Sequence, residues 1–155
     1  MAETEKERSD RQLIELLNEL RVALPGAQVL LAFLLTVPFQ ARFGRTTELQ
    51  RAVIVVDVVL TAVGVVLLMA PPVYHRIRWN EGGKEDVIQV GHRLFLAGTF
   101  CLAVGLLLAV FLIGDVLFGL AAAAVAVVQP LAVVIVIWYA LPLRRRGDLR
   151  IRREE

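Results

Sequence analysis

Four uninterrupted apolar runs, Val22–Phe39, Ala52–Ala70, Leu94–Ile113 and Leu117–Ala140, occupy more than half of the 155 residues and contain one side chain ordinarily ionised at neutral pH, Asp57. A helix on the surface of a soluble domain keeps one apolar stripe and one polar side, whereas these runs are apolar all round. At about 1.5 Å per residue, runs of about 18 to 24 residues rise about 27 to 36 Å, which matches a hydrocarbon core of about 30 Å. Each run can cross a bilayer once. The apolar share of 57% agrees, since soluble domains hold about 45–50%. The chain therefore reads as all-α: a four-transmembrane-helix bundle with an N-terminal amphipathic interfacial helix. Residues 1–21 form a cytoplasmic amphipathic segment, 22–143 the membrane domain and 144–155 a basic tail.

Charge supplies the orientation, because Lys and Arg are held on the cytoplasmic side during insertion. With four spans, the N-terminus, the second loop and the C-terminus share a face. All but three of the 17 Lys and Arg residues fall there, the exceptions being Arg42, Arg45 and Arg51. Both termini are expected in the cytoplasm of a multi-pass plasma-membrane protein. The net charge of +2 then describes a cationic layer against anionic lipid headgroups. It does not point to nucleic acid, because the basic tail lacks interleaved aromatic residues. A cleavable signal peptide is not expected either, since 21 largely charged residues precede the first run.

Before that run, Ser9 and Gln12 form a capping-box pattern, and Leu13, Leu16, Leu17, Leu20 and Leu24 recur at helical spacing. Residues 9–21 are expected to be an amphipathic helix that lies in the cytoplasmic interface or packs on the second loop. Its other face, with Arg11, Glu15, Asn18 and Glu19, anchors at the surface or docks a partner.

Few polar side chains lie inside the runs. Pro25-Gly26 is expected to loosen the first span, and Gln28, Ala32 and Thr36 line one face that must meet protein. In the second span Asp57, Thr61 and Gly64 share a face. An intramembrane carboxylate pairs, binds a proton or meets water, because a lone charge is costly there. Asp57 is thus a proton or cation site with Thr61, Gln28 and Thr36, an ion pair with a snorkelling Arg42, Arg45 or Arg51, or an oligomer contact. In the fourth span Gln129 is expected to be an intramembrane polar clamp, and Pro130 to kink the helix by freeing a carbonyl one turn earlier. Small residues, Gly98 and Gly105 in the third span and Gly119, Ala122 and Ala126 in the fourth, permit close helix packing.

Pro71-Pro72 is expected to close the second span. His75, Trp79, His92, Trp138 and Tyr139 then fall at headgroup depth, where such side chains anchor. The two histidines lack a third ligand at metal spacing, so no metal is expected. Cys101 is the only cysteine and excludes an internal disulfide. No cofactor motif is present, and neither face offers a nucleophile with a base or a phosphate-cradling glycine loop, so an enzyme is not expected.

The segment Leu16-Leu17-Asn18-Glu19-Leu20-Arg21-Val22-Ala23, with Gln28, Phe33-Leu34-Leu35-Thr36, Phe39-Gln40, Arg42-Phe43, the stretch from Ala70-Pro71 to His75-Arg76 and Trp138-Tyr139-Ala140-Leu141-Pro142-Leu143, resembles an uncharacterised family. That family comprises small, mostly actinobacterial, four-span integral membrane proteins of unknown function, covering here about residues 10–146. The resemblance implies the same fold. Some members carry the label sodium:proton antiporter, which it implies only as a label, without residues to transfer.

Two functional expectations follow. The first is a non-enzymatic structural or regulatory membrane component that meets lipid, a cytoplasmic protein partner or further copies of itself. The second is a proton-coupled cation transporter acting as an oligomer. One carboxylate and no convincing internal repeat weigh against the second, and loop charge this uneven disfavours a dual-topology pump.

Overall fold

A computed structural model of the chain describes residues 5–41, 43–77 and 84–140. They form helices α1 (Glu5–Thr36), α2 (Glu48–Ile77), α3 (Lys84–Phe118) and α4 (Leu120–Ile135), the last extended by a π-helical turn, Val136–Ala140. No strand occurs among the described residues. Each helix contains a stretch long and apolar enough to cross a membrane: Ile14–Phe39, Glu48–Tyr74, Ile88–Phe118 and Leu120–Trp138. The chain divides into two compact units, Met1–Gly105 and Leu106–Glu155, with the division inside α3.

The first unit begins with a departure from expectation. Helix α1 runs without a break from Glu5 through Pro25 to Thr36, so the amphipathic segment is the beginning of the first membrane helix rather than a separate interfacial one. Ser9 falls in its interior. Along it Leu16, Leu20, Ala27 and Leu34 are buried, and Leu20, Ala27 and Leu34 recur every seven residues, the interval that keeps one seam facing a partner. Arg11, Glu15, Asn18 and Glu19 stay exposed on the other side, with Arg11 and Glu15 3.9 Å apart.

Helix α1 ends in a short 3-10 turn, Val37–Phe39, and a second turn, Phe43–Arg45, leads to α2. At the start of α2, Thr47 and Gln50 form a capping box. The Thr47 N–H donates to Gln50 Oε1 at 3.0 Å and the Gln50 N–H donates to Thr47 Oγ1 at 3.2 Å, which satisfies two free amides at the helix start. Helix α2 packs against α1. Val65 and Leu68 join Leu16, Leu20 and Ala27 in the core, with Phe95 and Leu102 of α3 against them.

Pro71-Pro72 does not close α2, which continues to Ile77. Proline removes a backbone donor, but helices with apolar surroundings keep their form through it because no water competes for the freed carbonyl and neighbouring packing compensates. Pro71 is buried and lies where a Cβ on Gly91 of α3 would be 3.5 Å from its own Cβ.

In the second unit the chain reverses later than the gap between the third and fourth apolar runs. Helix α3 continues to Phe118, and the chain reverses at Gly119, whose φ of 86° and ψ of 172° belong to a region open essentially to glycine. The Gly119 N–H donates to the Asp115 carbonyl at 3.0 Å, and the Ala123 N–H donates to the Gly119 carbonyl at 3.1 Å. Gly114 and Ala123 then meet so closely that a Cβ on Gly114 would lie 2.8 Å from the Ala123 Cα. Ala123, rather than Ala122 or Ala126, is the buried small residue of α4. The helix stays α-helical through Pro130, and the departure from regular geometry comes later, at Val136–Ala140. The Val136 N–H there is shared between the carbonyls of Ala132 and Val133, as is common near helix ends.

Candidate functional site

Helices α2 and α3 run antiparallel along a seam of glycines. Gly91, Gly98 and Gly105 recur every seven residues on α3 and meet, in reverse order, Pro71, Gly64 with Leu68, and Asp57 with Thr61 on α2. At the centre the contact is reciprocal. A Cβ on Gly64 would sit 3.1 Å from the Gly98 carbonyl oxygen, and one on Gly98 would sit 3.0 Å from that of Gly64. Two backbones approach this closely only where both lack side chains.

At one end of the seam lies the polar pair. Asp57 and Thr61 have no accessible surface (0% each). The Thr61 hydroxyl donates to Asp57 Oδ1 at 3.3 Å, an i, i+4 contact along α2. Gly105 faces both: a Cβ there would be 2.5 Å from Thr61 Oγ1 and 3.0 Å from Asp57 Oδ1. The missing side chain is what leaves room for the carboxyl group. Asp57 Oδ2 is buried and has no hydrogen-bond partner among the described residues.

Among the described residues no arginine pairs with Asp57. Arg51 pairs with Glu48 at 3.3 Å and donates from Nε to Thr46 Oγ1 at 3.2 Å, which holds it at the helix start. Arg45 makes no ion pair with Asp57, and Arg42 lies outside the described residues. The other two residues grouped with Asp57 are elsewhere. Gln28 and Thr36 are exposed, together with Ala32, and the Thr36 hydroxyl donates to its own helix, to the Phe33 carbonyl at 2.7 Å. The stripe expected to meet protein thus faces outward, because the leucines that continue from Leu16 and Leu20 set the rotation of α1. Gln129 is exposed too, off the covered side of α4 that carries Ala123, Val127, Pro130 and Val134. Within the second unit it clamps nothing.

Of the expected anchors, His92 is exposed and Trp138 is 41% exposed. His75 and Tyr139 lie on described backbone, but their side chains, and all of Trp79, lie outside the described residues. No group of three His, Cys, Asp or Glu side chains with metal-binding placement occurs among the described residues. The sequence reading missed Gly91 and the seven-residue glycine period, which was legible as Gly91, Gly98 and Gly105.

Polarity in these helices is inverted relative to a water-soluble protein. On α2, Val55, Val56, Val59, Val63 and Val66 are exposed while Asp57 and Thr61 are buried. Large apolar side chains cover the outside of every helix, an arrangement that suits lipid and not water. This is an α-helical membrane protein with four helices able to span the bilayer.

The chain belongs to a family of unknown function, DUF6328, which matches residues 2–142. Neither the curated proteins nor the solved structures contain a match.

Proposed function

We propose that this chain is a non-enzymatic structural or regulatory component of a bacterial plasma membrane, with both termini in the cytoplasm. One observation carries the reading: Asp57 and Thr61 are shut inside a glycine seam, while Gln28 and Thr36, which a polar relay would recruit, face away from it. The exposed Arg11, Glu15, Asn18 and Glu19 face then meets anionic headgroups or a cytoplasmic protein, and the lipid-facing helices are free to assemble with further copies. Sodium-driven proton flux into vesicles holding the purified protein is the test. The scaffold reading expects no flux above that of empty vesicles, and flux that disappears in Asp57→Asn overturns it.

A second reading, a proton-coupled cation exchanger acting as an oligomer, draws support from Asp57 having no cationic partner among the described residues. It assigns the carboxyl group as the coupling site and Thr61 as its support. The same flux measurement decides between the two.

A further inference from the structure

We propose that the Asp57 carboxyl group is a proton-binding site that is occupied while the α2–α3 seam is closed and gives up its proton only when the seam parts. The inference goes beyond either functional reading and holds whether or not anything is transported. It starts from an atom without a partner: Oδ2 is buried and accepts no hydrogen bond among the described residues, while Oδ1 accepts only the Thr61 hydroxyl.

An ionised carboxylate there would need a countercharge, and the helices packed together in the first unit carry none near it. On α2 the charged residues before it, Glu48 and Arg51, pair with each other, and no other charged residue follows until the far end of the helix. On α3 only Cys101 is titratable between Arg93 and Asp115. On α1 nothing is titratable from Val22 to Thr36. A metal ion fits poorly as the compensating charge. Magnesium or calcium takes about six or more oxygen ligands, and the pocket brings together one carboxylate and one hydroxyl. A proton needs a single lone pair. On binding, one carboxylate oxygen forms an O–H bond with a proton taken from water, and on release that bond breaks and the proton returns to water admitted by the opened seam. Gly105 acts as a positioning residue, since its bare Cα gives the neutral group its recess.

Infrared spectroscopy of the full chain in lipid vesicles, with carbon-13 in its aspartates, reads the bound proton directly. At neutral pH a carbonyl band of an un-ionised carboxylic acid is expected, shifted by the label, absent in Asp57→Asn and unchanged when sodium replaces choline. In Thr61→Val the band should persist and move to higher frequency, because the carbonyl oxygen loses its hydrogen bond. Carboxylate bands alone in wild type overturn the proposal, and this outcome needs no variant to fold. Loss of the band on adding sodium also overturns it, in favour of a cation site. Thermal unfolding supplies a second readout. A proton held by the folded state and lost on unfolding makes stability fall as pH rises, so wild type should lose midpoint temperature with rising pH by more than Asp57→Asn. Equal pH dependence in the two proteins overturns the proposal.

Discussion

Along the α2–α3 seam four glycines keep ordinary helical backbone and act through the side chain they lack, whereas at the α3–α4 reversal Gly119 acts through a backbone conformation and has open space where a side chain would stand. Space around the residue separates the two cases. A Cβ on Gly98 would meet the Gly64 carbonyl and Leu68 at 3.0 Å, while a Cβ on Gly119 would find no atom within 4 Å. The seam is therefore a packing constraint shared by two helices. The reversal is a local torsional one.

Gly98→Leu should break the comparison on the seam side. The new side chain meets a backbone carbonyl that cannot swing away, and overpacking of this kind costs about 3 kcal/mol or more. Reversible unfolding in mixed micelles should show the whole first unit weakened. At the reversal, Gly119→Ala should cost about 2 kcal/mol, as expected for a residue held at a φ it resists. Here the handedness of the residue sharpens the contrast: D-alanine placed at 119 by segment ligation should restore most of that loss, while D-alanine at 98 should not. Equal effects of both D-residues would mean that the two sites are alike.

A glycine with neither duty provides the control. Gly26 lies inside α1 with nothing within 4 Å and no positive φ, so Gly26→Ala should stabilise by about 0.5–1 kcal/mol, seen as a raised thermal midpoint. Smallest of all is Gln28→Leu. Its side chain is exposed on an apolar helix face, and the change should stay within about 0.5 kcal/mol. A larger loss would show that Gln28 is covered by another chain.

The number and type of helices were legible because hydropathy and length answer that question directly. Register was harder. Gln28, Ala32 and Thr36 stand at regular helical spacing and look like an inward stripe, but α1 is one rod, and Leu16 and Leu20 near its start decide which side of it is buried. Asp57 and Thr61 stood out as polar residues in an apolar run. Their relation to Gly105 did not, because it depends on how α2 and α3 align, and only the seven-residue glycine period hints at that. Pro71-Pro72 misled for a physical reason: prolines stop helices readily where water can take over the freed carbonyls, and in apolar surroundings the helix simply continues.

The unbroken α1 has a mechanical consequence. Its 32 residues form a shaft of about 48 Å, well beyond the hydrocarbon thickness of about 30 Å. Leu16 and Leu20 grip α2 and α3 close to the end that projects. Because α1 is continuous from Glu5 to Thr36, the projecting turns and the membrane-spanning ones belong to one helix, so whatever seats on the former bears on the latter without an intervening loop.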